Sequence, residues 1–356
     1  MRNPFKFGTV VDGEFFTDRV NELEQIRHIL QSDNHLVLIS PRRYGKTSLV
    51  MKAVKLSEMP YIMLNMQDVV STEDLSAKLI KAVFKIYPWE HLKHLMTHFR
   101  VTPTISVNPV SNAIDVSFQP RINSDTVLED AMSMLAKVAD KDKRLVVVLD
   151  EFQEITSIDK GLDKKLRSIM QLQQNINYIF LGSQESMMAE IFEHKKSPFY
   201  HFGMLMRLNN IPESDFQEYL TTRLKPILEE KADAVTHNII ETTRCHPYYT
   251  QQLASRVWEL AEYQGIEDNV TEEAVKGIVL AHDLDFERLW MALNKTDRHT
   301  MIEICQGKNP IQSLDKATST TFSSLKRLLK SGFIIRENSY DIEDPFFKQW
   351  ITERQK

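Results

Sequence analysis

The sequence predicts an α/β fold: a parallel sheet flanked by helices, then a wholly helical segment, then a small C-terminal domain built around a hairpin. Three observations predict it. Short apolar runs alternate with stretches of helical periodicity as far as residue 211. One run, Leu145 to Leu149, is unbroken, as a central parallel strand covered on both faces requires. After Ile211-Pro212 the pattern turns helical up to about Leu293.

The elements follow in order. Residues 1 to 15 read as an extended lead-in rich in Phe and Gly. Thr17 to Glu22 opens an amphipathic helix, with Val20, Leu23, Ile26, Ile29 and Leu30 at helical spacing. Ser32-Asp33-Asn34 is a turn, His35 to Ser40 a short apolar strand, and Lys46 onward a helix. Pro60 to Asn65 is a second strand and Leu75 to Tyr87 a helix. Between Pro88 and Pro120, Thr104 to Val107 and Ile114 to Phe118 alternate around Asn108-Pro109, which suggests a hairpin inserted near 100–120, read as surface decoration. Val127 to Ala139 and Leu162 to Leu172 are helical, Tyr178 to Leu181 is a strand, and Met204 to Leu208 offers a fifth. Three domains result: 1–211, 212–284 and 285–356, the last with a hairpin of Phe333 to Arg336, a turn at Glu337-Asn338-Ser339, and Tyr340 to Ile342.

Composition narrows the function. The chain has 356 residues, 42% hydrophobic and 26% charged, which is ordinary for a globular protein able to bury a core without staples. A net charge of −5 argues against an electrostatic nucleic-acid binder as a whole. The two cysteines, Cys245 and Cys305, lack metal-ligand spacing and read as reduced thiols. No secretory signal follows Met1 and no apolar run reaches the roughly 20 residues that span a bilayer, so no membrane partner is expected and the cytoplasm is the expected location.

The strongest motif is Ser40-Pro41-Arg42-Arg43-Tyr44-Gly45-Lys46-Thr47, close to the phosphate loop G-x-x-x-x-G-K-[ST], with Ser40 in place of the first glycine. A strand precedes it and a helix with Leu49, Val50 and Ala53 follows. A loop wrapping a phosphate aims successive backbone N–H groups inward, and Gly45 stands where the loop enters the positive end of that helix. Lys46 would place an ammonium on the β- and γ-phosphates, and Thr47 would give its hydroxyl to Mg²⁺. Pro41, Arg42, Arg43, Tyr44 and Ser48 complete the nucleotide-contacting stretch.

Leu149 runs into Asp150-Glu151, at the strand end where open α/β sheets bind ligands. Asp150 suits a metal, directly or through water; Glu151 suits a general base that polarises the attacking water. The strand ending at Leu181 is followed by Gly182-Ser183-Gln184. Ser183 is the first choice and Gln184 the second for a γ-phosphate or water contact. An ordinary strand-ending turn is the alternative.

Together these residues resemble the prokaryotic archaeal-type P-loop ATPases, related to the AAA+ and STAND ATPases. The resemblance runs through Phe15 to Arg19, Pro41 to Ser48, Leu149 to Gln153, His246 to Tyr249 and Tyr340 to Phe347. It implies an α/β P-loop NTPase core (parallel sheet, ASCE type) followed by a helical lid and a C-terminal winged helix, with ATP and Mg²⁺ as ligands. It also implies that Pro247 lies over the base or sugar of the nucleotide, although a proline there equally marks a helix start. Where relatives often show Gly-Arg after Ser197 to Tyr200, this chain has His201-Phe202, so another cation, Arg207, Arg42 or Arg43, or a partner, would have to act on the γ-phosphate.

In the winged-helix reading Thr320 to Ser331 is the recognition helix, with Lys326, Arg327 and Lys330 facing phosphates. The acidic residues Asp341, Glu343 and Asp344 follow closely, which favours a protein contact, self-association or intramolecular docking over DNA. The expected function is ATP hydrolysis acting as a conformational switch. The alternatives are a non-enzymatic winged-helix DNA-binding regulator and an interaction scaffold with a structural nucleotide.

Overall fold

A computed structural model describes residues 2–107, 114–119, 123–139, 144–265, 267–311, 318–336 and 339–354. The chain divides into two compact units. One comprises Arg19–Arg42 and Lys46–Asn209; the other comprises Met1–Asp18, Arg43–Gly45 and Asn210–Lys356.

The first unit is the predicted α/β core. Its elements in order are α1 (Val20–Leu30), β1 (Leu36–Ile39), α2 (Lys46–Ser57), β2 (Tyr61–Asn65), α3 (Thr72–Ile86), α4 (Trp89–Met96), β3 (Thr104–Val107), β4 (Ile114–Ser117) and α5 (Ser124–Val138). There follow β5 (Leu145–Asp150), α6 (Ile155–Ile158), α7 (Leu162–Met170), β6 (Ile176–Gly182), α8 (Glu185–Phe192) and β7 (Met204–Arg207). The five-stranded sheet has the order β2-β5-β6-β1-β7, and every pairing in it is parallel.

Burial follows strand position. β1 and β6 are buried at every residue and β5 at all but its last, because helices cover both faces of the inner strands. β2 alternates and β7 buries one residue, as edge strands do. The strands ending at Ser40 and Asp150 are not neighbours. β6 lies between them, its Phe180 level with Val37 of β1 and Leu149 of β5. All three strands nevertheless point the same way, so Ser40, Ser183 and Asp150 emerge at one end of the sheet.

The inserted hairpin forms as antiparallel β3–β4, with Val116 buried in the core and Lys81 of α3 within 3.7 Å of Asp115. Its expected turn at Asn108-Pro109 and its expected end at Pro120 lie outside the described residues. The helix α4 was not anticipated.

The second unit contains α9 (Glu213–Leu228), α10 (Ala232–Thr243), α11 (Pro247–Gln264), α12 (Val270–Ala281), α13 (Asp283–Ala292), α14 (Lys295–Cys305) and α15 (Thr318–Lys330). It closes with the antiparallel pair β8 (Ile334–Arg336) and β9 (Tyr340–Ile342) and with α16 (Pro345–Arg354). Within the expected hairpin turn, Glu337 and Asn338 lie outside the described residues. The lead-in belongs to this unit's core. Phe5 is buried against Tyr219 with ring centroids 6.2 Å apart, and Asn3 Nδ2 donates to Ser255 O and Oγ.

Candidate functional site

The β1–α2 loop takes its shape from two residues in the left-handed region, Arg43 (φ 69) and Gly45 (φ 85). Ser40 is not among the residues with positive φ, so the loop's first position does not require a glycine. Ser40 is fully buried; its N–H donates to Gly182 O of β6, which ties the loop's start to the sheet.

Lys46 opens α2 and is buried. Its Nζ donates to Ser40 O at 2.8 Å and Pro41 O at 2.9 Å. Burial pulls its pKa down to about 8, against the opposing pull of Glu151, Asp150 and Glu185, while the Arg42 charge pushes the same way as burial. The ammonium is therefore poised among carbonyls with three carboxylates acting on it, and a polyanion would restore its charge preference.

Thr47 Oγ1 donates to Asp150 Oδ2 at 3.0 Å, and Glu151 N–H donates to Asp150 Oδ1 at 2.9 Å. Burial raises the Asp150 pKa, opposed by these two hydrogen bonds and by Lys46. A hydroxyl and a carboxylate this close form a hard-oxygen pair that fits Mg²⁺, an ion that usually keeps several waters and takes few protein ligands. Among the described residues no group of three or more His, Cys, Asp or Glu side chains could hold a metal ion.

Glu151 follows Asp150 with φ 51 and ψ 46, a left-handed backbone costly for a non-glycine residue and typical of functional turns. Its Oε2 accepts from Ser183 Oγ at 2.6 Å, from Ser183 N–H at 3.4 Å and from Gln153 Nε2 at 2.6 Å. Ser183, at the end of β6, thus reaches the glutamate because β6 is the intervening strand. Gln184 is the N-cap residue of α8, with no side-chain cap bond.

Of the other expected residues, Arg43, Tyr44 and Pro247 fall in the second unit. Arg43 carries its guanidinium 4.5 Å from the centre of the Tyr248 ring and donates to Tyr249 Oη at 3.4 Å. Tyr44 is buried with its ring 4.6 Å from that of His246. Pro247 is the first residue of α11, and His246 caps that helix by accepting the Tyr248 and Tyr249 N–H groups on Nδ1. Tyr249 Oη donates to Glu343 Oε2 at 2.8 Å. Ser48 is buried on α2. Among the candidate cations, Arg207 pairs with Glu193 and Arg43 with the tyrosines, whereas Arg42 is exposed and its charge is felt at Lys46. Arg327 is bound by Asp297 through both Nε and Nη2, at 3.2 and 2.7 Å.

Sequence reasoning missed Gln153 and the tyrosine partners of Arg43. Gln153 follows the acidic pair by two residues and is fully buried; its signal in the sequence is an amide amid apolar neighbours, Phe152 and Ile155.

Residues 16–236 match the family described as an ATPase domain predominantly from Archaea. No curated protein matches the chain. Among solved structures the fold is similar to the Walker-type ATPase of Pyrococcus abyssi, with a TM-score of 0.68, 16% identity, and coverage of 95% of this chain and 97% of that one. It is similar to the ORC2 protein of Aeropyrum pernix, solved in ADPNP–ADP complexes, with a TM-score of 0.58, 13% identity, and 99% of each chain covered. The ORC1 protein of the same organism, solved with DNA, gives a TM-score of 0.52 at 12% identity, covering 97% of this chain and 94% of that one.

Proposed function

The chain belongs to the family of ATPase domains found predominantly in Archaea, and on that footing we propose that it binds Mg·ATP on the β1–α2 loop and uses its hydrolysis as a conformational switch. The observation that carries the reading is the convergence of Lys46, Thr47, Asp150, Glu151 and Ser183 at one end of the sheet, linked by the Thr47–Asp150 and Ser183–Glu151 hydrogen bonds.

The roles follow from the chemistry. The loop amides and the start of α2 bind the phosphates, and Lys46 contributes a cation to the β- and γ-oxygens. Thr47 and Asp150 are the residues that would hold Mg²⁺, which supplies neutralisation of charge on the phosphate oxygens. Glu151 takes a proton from the attacking water, and Ser183 steadies Glu151. Arg42, exposed beside Lys46, is the strongest internal candidate for the cation missing at Phe202. Pro247 would border the base or sugar.

The switch reading takes 212–284 as a lid and 285–356 as a winged helix. It is supported by the membership of Arg43–Gly45 in the second unit, where Arg43 leads through Tyr249 to Glu343 beside β9. A change in the loop on losing the γ-phosphate would be felt along that chain of contacts. A nucleotide or protein partner fits this better than DNA does, since Arg327 is already bound by Asp297.

The test is ATP turnover by the unaltered protein, by Lys46→Ala and by Glu151→Gln. Turnover should vanish in the first variant. In the second it should fall by about 10²–10⁴ while binding persists. Nucleotide binding without turnover in the unaltered protein would overturn the enzymatic half of the reading. Equal amide exchange at Tyr248 and Tyr249 with ADP and with a non-hydrolysable ATP analogue would overturn the switch.

A further inference from the structure

Gln153 lies in the short turn after Glu151, with its side chain wholly removed from solvent. Its Nε2 donates to Glu151 Oε2 at 2.6 Å, while its own Oε1 is buried with no hydrogen-bond partner among the described residues. A buried, unsatisfied carbonyl is costly, and an apolar side chain of similar shape would avoid that cost. Turning the amide over would not help, because it would set Oε1 against the carboxylate oxygen, acceptor against acceptor. The charge on Glu151 therefore fixes the amide's orientation, and the amide in turn fixes the carboxylate.

The two oxygens of Glu151 are unequally used. Oε2 accepts from Gln153 and twice from Ser183; Oε1 has no hydrogen-bond partner among the described residues. Two donors from different strand ends, Gln153 after β5 and Ser183 after β6, hold one oxygen and thereby set the rotation of the whole carboxylate.

We propose that Gln153 is a positioning residue for hydrolysis: with Ser183 it immobilises Glu151 Oε2 so that Oε1 accepts the proton of the attacking water. This rests on the reading of Glu151 as the base. In that step the water oxygen bonds to the γ-phosphorus, its proton passes to Oε1, and the bond from phosphorus to the bridging oxygen breaks, its electron pair leaving with ADP. Gln153 touches none of the reacting atoms.

The experiment uses the full chain, with turnover expressed per nucleotide-binding site. Gln153→Met keeps the length and bulk of the side chain and removes both amide atoms. The expected result is a kcat lower by about ten- to hundredfold, with KM for ATP within about twofold of the unaltered protein, and a melting temperature that does not fall. Gln153→Leu is read in the same way should methionine unsettle the packing. In a Glu151→Gln background, Gln153→Met should cause no further loss, because the residue acts through the one already removed.

Unchanged kcat in Gln153→Met and Gln153→Leu would overturn the inference. So would a loss that multiplies with that of Glu151→Gln, or a fall in melting temperature with KM and kcat moving together. Undiminished turnover in Glu151→Gln alone would instead remove the role of Glu151, and the inference with it.

Discussion

Thr47 Oγ1 and Asp150 Oδ2 lie 3.0 Å apart, joining the first turn of α2 to the end of β5 past the strand that separates β1 from β5. A hydroxyl donor and a carboxylate acceptor from elements so far apart in sequence meet only if both strands end on the same side. Thr47→Val keeps the shape and removes the hydroxyl, leaving Asp150 Oδ2 without this donor. Mg·ATP affinity should fall by about 10–100-fold, Thr47→Ser should remain near normal, and affinity for ATP in excess chelator should change little. Calorimetric titration with and without Mg²⁺ reads all three.

Lys46 holds two carbonyls of its own loop, Ser40 O and Pro41 O. Lys46→Met removes the cation and strands both acceptors, so it should weaken ATP binding and also lower stability, by about 1–3 kcal/mol for a buried acceptor left unpaired. Chemical denaturation without nucleotide measures the second effect separately from the first. A variant that loses binding with unaltered stability would contradict the hydrogen bonds described here.

Gly45 and Ser40 should respond to exchange for different reasons, since only Gly45 has a positive φ. At Gly45 nothing lies within 4 Å of an added Cβ, so the cost of Gly45→Ala is backbone alone, φ being +85. It should be about 1–2 kcal/mol, with phosphate binding impaired as the loop shifts. Ser40→Gly adds freedom that its backbone does not use, so ATP affinity should not rise and stability should drop slightly. Restoring the motif's first glycine is thus expected to gain nothing in a binding assay.

Stability should fall on mild acidification. His35 is buried against Tyr178 and Phe202, its Nδ1 accepting the Tyr178 N–H. Burial, with the charges of Arg167 and Arg144, lowers its pKa from 6.5 to about 4. The folded state therefore resists a proton that the unfolded chain accepts. The contribution is whole above about pH 6.5, shrinks as pH falls below it, and is gone below about pH 4, a loss on the order of 3 kcal/mol at most. Urea unfolding at pH 7 and pH 5 should show the decline, and His35→Leu should flatten it while being less stable at pH 7.

Much of the core was legible because its signals are local. Leu145 to Leu149 could only be a strand covered on both faces, and the run Gly45-Lys46-Thr47 after an apolar strand implied a phosphate loop. The interposition of β6 was not legible, since strand order is fixed by packing across the sheet and not by neighbours in sequence. The exemption of Ser40 from glycine's role was hidden for the same reason: the motif gives residue types, whereas the need for a positive φ is set by where the loop actually turns. Gln153 was overlooked because an isolated amide two residues past an acidic pair carries no periodicity. Its meaning appears only once its nitrogen is seen on Glu151.

Phe202 packs against the hydrophobic core of the first unit. Its ring is 4.5 Å from His35, 5.5 Å from Phe199 and 6.0 Å from Phe180, with the Arg167 guanidinium 4.1 Å away. A guanidinium placed there would face another across an aromatic floor that is continuous with Phe152 and Phe192. An arginine at this position would lose the packing of the phenylalanine against these rings and meet the charge of Arg167, so it could be admitted only if the surroundings were rebuilt first.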